Sequence, residues 1–129
     1  MDIVSNMLIT IKNGGNAGKN TVIAPYSNYK HKICETLVRL GYIKAVHKKT
    51  AKGGFPELVI ELELEGKTPK IKGLRRVSKP SRRLYSASKA IRTIRSGFGE
   101  VVLSTPKGIL GGQEAKEKLV GGELLFEIW

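Results

Sequence analysis

Apolar residues recur every three to four positions at the start of the chain, at Ile3, Val4, Met7, Leu8 and Ile11. That spacing places them on one face of an amphipathic helix, and Asn13-Gly14-Gly15 is expected to end it. Thr21-Val22-Ile23-Ala24, just ahead of Pro25, reads as a short strand. Tyr29, Ile33, Leu37 and Leu40 form a second helical stripe, closed by Gly41 in the C′ position. Lys30, His31, Lys32, Glu35 and Arg39 are expected on its outer face, and Cys34 beside the stripe as a small buried thiol. Tyr42 to Val46 suggests a strand, and Lys48 to Pro56 a loop carrying Gly53-Gly54. Leu58, Ile60, Leu62 and Leu64 then alternate with Val59, Glu61 and Glu63, the signature of a half-buried strand.

The pattern changes in the second half. Lys70 to Val77 suits an extended segment with a bulge or close approach at Gly73. Ser78-Lys79-Pro80-Ser81 predicts a turn, Leu84-Tyr85 a short extended piece, and Ser88 to Ile91 one helical turn capped by Ser88. Ser96-Gly97-Phe98-Gly99 predicts a turn into a buried strand at Val101-Val102-Leu103. Ser104 to Gly108 reads as a tight polar loop, Gln113 to Leu119 as a short helix, and Leu124 to Trp129 as a terminal strand. The expected fold class is therefore α+β. An N-terminal α/β domain over 1–66, in the order α-β-α-β-β, is expected to pack on a mainly β C-terminal domain over 67–129 with short helices.

Charge sharpens this picture. Among 129 residues there are 23 Lys and Arg against 11 Asp and Glu, a formal net charge of +12. Residues 1–66 hold 9 basic and 6 acidic residues, whereas residues 67–129 hold 14 and 5. Between Gly66 and Gly99 there are 11 Lys and Arg and no acid at all. Such a cluster repels itself, and its natural complement is a polyanion that releases counterions on binding. An apolar content of 40% excludes a disordered basic tail. Neither a membrane-spanning run nor a secretory signal is expected, and Gly73 and Pro80 interrupt any long membrane-surface helix. One Cys and two His leave no internal disulfide and no dedicated zinc site, so no metal, cofactor or small-molecule substrate is expected.

Few residues suggest catalysis. Ser104-Thr105-Pro106-Lys107 matches the S-x-x-K spacing of serine acyl-transfer enzymes, but that chemistry needs the Ser to open a helix. Pro106 biases Thr105 toward an extended conformation, Gly108 follows, and the partner motifs are missing, so no catalytic residue is expected. Adjacent hydroxyls, a lysine and a glycine suit RNA better, offering short polar groups and close backbone approach. Arg82, Arg83 and Tyr85 suit stacking on unpaired bases while holding phosphates, and Tyr85 equally suits the core. Glu123 repels phosphate, which leaves it to accept hydrogen bonds from base amino groups or to orient a neighbouring cation.

Taken in order along the whole chain, these motifs resemble the bacterial small-subunit ribosomal protein S-8 family. The resemblance rests on Asp2, Met7-Leu8 and Lys12-Asn13, on Pro25-Tyr26-Ser27 with Lys30, and on Gly41-Tyr42-Ile43. It continues through Arg75-Arg76-Val77-Ser78-Lys79-Pro80 with Arg83 and Tyr85, Gly97-Phe98-Gly99, and Leu103-Ser104-Thr105-Pro106-Lys107-Gly108. Val120-Gly121-Gly122-Glu123 and Ile128-Trp129 complete it. Pro106 stands where the family has a second Ser, and Ser81 where Gly is usual. The resemblance implies a structural, non-enzymatic protein of the cytoplasmic ribosome that binds an irregular helix in the central domain of small-subunit ribosomal RNA. It further implies a role in subunit assembly beside neighbouring small-subunit proteins, with repression of its own messenger RNA as the alternative. The implied RNA contacts are Tyr85, Ser104, Thr105, Lys107, Gly108, Gly121, Gly122 and Glu123, with Lys79 and Arg83 for phosphates. Lys12, Asn13 and Lys30 are the implied backbone contacts of the N-terminal domain.

Overall fold

The computed structural model describes residues 3–65, 68–69, 71–79, 81–91 and 99–129, which fall into two compact units, Ile3–Ile71 and Lys72–Trp129. The expected turn at Ser96-Gly97-Phe98, and Pro80 of the Ser78–Ser81 turn, lie outside the described residues.

In the first unit, α1 (Ile3–Asn16), β1 (Thr21–Pro25), α2 (Asn28–Arg39), β2 (Ile43–Thr50) and β3 (Pro56–Leu62) follow the expected order. A two-residue pair, β4 (Leu64–Glu65) with β5 (Thr68–Pro69), completes it. The sheet runs β1-β3-β2, antiparallel throughout. Val22, Ala24, Leu58, Ile60 and Leu62 point to one face, where they are buried with Val4, Met7, Leu8 and Ile11 of α1 and Ile33, Cys34 and Leu37 of α2. Strand alternation and helical periodicity thus agree on a single core.

Three local expectations are corrected. Helix α1 does not stop at Asn13 but continues through Gly14 and Gly15 to Asn16. A Cβ on Gly14 would collide with Val22 Cγ1, so this glycine lets the helix lie directly on β1 rather than ending it. On α2 the buried stripe is rotated from the expected one: Tyr29 is 37% exposed, while Lys30 is only 7% exposed and so is not on the outer face. Lys30 lies one turn before Ile33 and Cys34, where its aliphatic stem covers apolar surface. Strand β2 also runs on through Lys48, Lys49 and Thr50, because pairing with Leu58, Glu57 and Pro56 overrides their polar composition. The α2 ends conform to the sequence: Ser27 Oγ accepts from the Lys30 N–H at 3.1 Å, and Gly41 follows the C-cap with φ of +85°.

The second unit holds β6 (Leu74–Arg76), β7 (Tyr85–Ser86), a 3₁₀ turn (Ser88–Ala90), β8 (Glu100–Thr105), β9 (Gly108–Gly111), α3 (Gly112–Glu117) and β10 (Gly122–Ile128). The 3₁₀ turn is preceded by Ala87, so Ser88 is its first residue and not its cap. The antiparallel sheet runs β6-β10-β8-β9, and β7 pairs with the start of β10. Ile91, Val101, Leu103, Leu110 and Ala115 form one hydrophobic cluster. The close approach expected at Gly73 is present: a Cβ there would lie 2.5 Å from the Trp129 ring.

Replacing Gly14 with Ala should cost about 1–3 kcal/mol by overpacking against Val22, despite the gain in helix propensity. Urea denaturation should show that cost shrinking in a Val22→Ala background, which removes the obstructing methyls. Burial pushes the Cys34 thiol up to about 12, with Lys30 pulling the other way and Glu35 adding to the rise. The folded chain should therefore resist thiol reagents that modify it readily in denaturant. Above the ordinary value of 9.0 the unfolded chain loses a proton that the folded chain keeps, so stability should fall as pH rises toward 12.

Candidate nucleic-acid interface

Strand β10 is the centre of the second unit, with β6 and β7 on one side and β8 on the other. Tyr85, Glu123, Ser104 and Ile109 stand directly opposite one another across β7, β10, β8 and β9. Cross-strand partners share a sheet face, so an aromatic ring, a carboxylate and a hydroxyl are aligned in one row. Tyr85 is 69% exposed, which places it on the surface rather than in the core. Ser104 and Glu123 are half-buried.

The two glycines before Glu123 make this row possible. A Cβ on Gly122 would collide with the Ser104 carbonyl oxygen, and one on Gly121 with that of Ser86. Only bare backbone fits where β10 enters between the ends of β7 and β8. A bulge at Leu125 then resets the register, so that Phe126 pairs with Val102. The Leu125 carbonyl is held by the Arg76 guanidinium at 2.6 Å and by the Val77 N–H at 3.2 Å. Arg76 thus serves the fold as well as the charge count.

Glu123 holds a cation, one of the two roles that its sequence context leaves open. Arg83 Nη1 donates to Glu123 Oε1 at 3.3 Å and lies 3.4 Å from Oε2, with the Arg side chain 60% exposed and the Glu side chain 15%. The segment carrying Lys79, Arg82 and Arg83 is a tight excursion, closed by Lys79 N–H to Arg82 O at 2.8 Å and Arg82 N–H to Lys79 O at 2.9 Å. Its base is Ser78, 1% exposed, whose Oγ accepts from the Leu84 N–H at 2.9 Å and donates to the Leu84 carbonyl at 3.2 Å. Sequence reasoning missed this role, reading Ser78 only as a turn residue. A hydroxyl just before Lys-Pro was the available signal, since Ser readily bonds nearby backbone.

Ser104 to Gly108 is narrower than the expected loop. Ser104 and Thr105 end β8, Gly108 begins β9, and only Pro106 and Lys107 turn. Neither turn residue has positive φ, which excludes the type II, I′ and II′ turns, whereas Gly108 has φ of +113°. Thr105 Oγ1 donates to the Gly108 carbonyl at 2.7 Å and accepts from the Lys107 N–H at 3.2 Å. Its hydroxyl is therefore committed to the turn. Among the described residues Ser104 Oγ has no hydrogen-bond partner, so it remains free for a ligand. Lys107 Nζ lies 3.5 Å from the Lys118 carbonyl. With Ser104 on a strand and Lys107 in the turn, the helical geometry of S-x-x-K acyl transfer is absent.

The N-terminal candidates do not converge. Lys30 lines a groove of about 320 Å³ with Asn6, Thr10, Ile23 and Pro25, whereas Lys12 lines another pocket with Tyr42, Leu62, Glu63 and Ile71. Asn13 is exposed on α1.

The family model for ribosomal protein S8 matches residues 2–129. The chain belongs to the ribosomal protein S8 family. It is 43% identical to the small ribosomal subunit protein uS8 of Erythrobacter litoralis over 99% of this chain and 97% of that protein. Against the uS8 proteins of Novosphingobium aromaticivorans and Paramagnetospirillum magneticum the identities are 44% and 38%, with the same coverage. Membership in the S8 family makes the chain a structural protein and not an enzyme. The α+β class and the family assignment therefore agree with the reading of the sequence. No helix among the described residues is long and apolar enough to cross a membrane.

Gly122→Ala should destabilise the chain by at least about 1–3 kcal/mol, because the obstruction is backbone and cannot rotate away. Chemical denaturation without RNA measures this. Ser78→Ala should cost about 1–3 kcal/mol by the same assay, through the two Leu84 backbone groups it leaves without this partner.

Proposed function

We propose that the chain is a constituent of the small ribosomal subunit in the cytoplasm and binds an irregular helix in the central domain of its ribosomal RNA. In this reading it supports subunit assembly and adjoins neighbouring ribosomal proteins. The observation that carries the proposal is the Tyr85–Glu123–Ser104 row, flanked by the Arg83 guanidinium and the Thr105–Gly108 turn. Uncharged and acidic groups are aligned where bases can be read, and cations border them where phosphates run. A regular A-form helix hides its base edges in a deep groove, so this arrangement requires unstacked or bulged nucleotides. Tyr85 supplies a stacking surface, Ser104 Oγ a free donor and acceptor, and Glu123 an acceptor for base amino groups. Gly108, Gly121 and Gly122 let RNA and strand backbones approach, while Lys79, Arg83 and Lys107 neutralise phosphates.

The work divides along the expected domains, with residues 67–129 carrying recognition and residues 1–66 adding contacts to the RNA backbone. Asn13 and Lys12 offer these from α1, and Lys30 from within its groove, where only an inserted group reaches it.

Ser104→Ala should weaken binding to an RNA fragment containing the irregular helix by about 1 kcal/mol and leave an unrelated duplex unaffected. An equal loss on both would overturn the assignment. Lys79→Ala or Arg83→Ala should weaken binding to every RNA and lower the salt slope by about one. Filter binding across a salt series distinguishes the two behaviours.

A further inference from the structure

The recognition surface proposed above leaves one charged feature of the first unit unused. From Thr36 to Pro56 the chain has no Asp or Glu, and the β2–β3 hairpin concentrates the cations of that stretch. Lys48, Lys49 and Lys52 are all exposed, with His47 beside them. Glu57 faces Lys49 across the strands and offsets one of these charges at most.

The hairpin tip is built, not loose. The Ala51 N–H donates to the Phe55 carbonyl at 2.8 Å, and the Gly54 N–H to the Ala51 carbonyl at 3.0 Å. Gly53 and Gly54 have φ of +95° and +85°, a backbone that other residues rarely adopt. Phe55 is 75% exposed, and a Cβ on Gly53 would lie 3.7 Å from its ring. A large aromatic is thus presented on a closed turn at the end of a basic ribbon.

The charges are distributed around the ribbon. Lys48 and Lys49 point to opposite faces because they are consecutive on a strand. Lys48 Nζ stands 4.5 Å from the centre of the Tyr26 ring, Lys49 is on the reverse face, and Lys52 is at the tip. A flat acidic protein surface meets one face of such a ribbon and leaves the other charge unmatched. Lys48 lies opposite the buried Leu58, at the outer edge of β2 in the order β1-β3-β2, so a phosphate backbone bent around that edge and the tip reaches all three lysines.

We infer that the β2–β3 hairpin is a second RNA-docking element, with one phosphate backbone following the outer edge of β2 and Phe55 stacking on an unpaired base. The inference rests on the chain's being an RNA-binding protein, but it concerns RNA beyond the irregular helix proposed for the C-terminal surface. Phosphates along that edge pair with Lys48 and Lys49, and Lys52 follows the strand past the tip.

The test uses the full chain with a Lys48→Gln/Lys49→Gln/Lys52→Gln variant, and separately Phe55→Ala and Phe55→Trp, with thermal unfolding to confirm that each folds. On full-length small-subunit RNA the triple variant should lower the magnitude of the salt slope by about two to three. Phe55→Ala should weaken that binding roughly tenfold. Both should bind the irregular-helix fragment as the unsubstituted chain does. Emission from Phe55→Trp should be quenched by the long RNA and not by the fragment. An unchanged slope, or an unquenched indole with fragment binding intact, would overturn the hairpin assignment. So would quenching by an acidic polypeptide and not by RNA. Failure of the unsubstituted chain to bind the fragment overturns the C-terminal reading instead, and quenching by the long RNA would still support the hairpin.

Discussion

The constraint on which the C-terminal unit depends is the entry of β10 between β7 and β8. That entry requires a residue with no side chain opposite the Ser104 carbonyl, and Gly122 provides it. Everything recognisable about the surface follows. With Gly122 fitted against Ser104, the next residue, Glu123, must stand between Tyr85 and Ser104 on one face. A larger residue at 122 would push β10 away and separate the aromatic from the hydroxyl. The site is therefore a property of strand register, and the glycines that look like ligand-cradling residues act first as packing residues. The bulge at Leu125 belongs to the same solution. It lets Glu123 face outward while Phe126 and Ile128, farther along that face, enter the core.

Net charge and available charge are different quantities in this fold. The acid-free stretch gives the chain much of its positive surplus, yet some of those cations have protein partners. Arg76 holds the bulged carbonyl, Arg75 lies 3.5 Å from Glu127, and Arg83 is anchored by Glu123. An anchored guanidinium retains further donors and has less conformational freedom to lose on meeting an anion. The carboxylate that would repel RNA from that spot is thereby partly neutralised. Exposed ion pairs of this kind stabilise folding little, which leaves orientation of Arg83 as the larger consequence of the contact.

Much of the fold was legible because its core follows simple periods. The alternation from Leu58 to Leu62 and the helical spacing from Ile3 to Ile11 each correspond to a buried face. What was not legible depended on partners distant in sequence. Gly14 looks like a helix stop until β1 lies beside it, and Lys30 looks solvent-facing until the stripe is centred on Ile33, Cys34 and Leu37. Candidate site residues were legible as types and as family positions. Their alignment was not, because Tyr85, Ser104 and Glu123 meet only through the pairing of three strands. Ser78 was missed for a different reason: its hydroxyl bonds a backbone only six residues away, a local closure that the turn composition signals without naming the partner.

Pro106 illustrates how a departure from a family pattern can be compensated. Replacing a serine with proline removes a hydroxyl and a backbone donor, a loss when composition alone is considered. In the folded chain Pro106 is the first of the two turn residues, a place that suits proline's restricted φ. Thr105 closes the same turn through both the Gly108 carbonyl and the Lys107 N–H. Proline thus leaves the turn with less conformational freedom than serine would. Ser104, just before this stiffened turn, is held on β8, where its hydroxyl has no hydrogen-bond partner among the described residues.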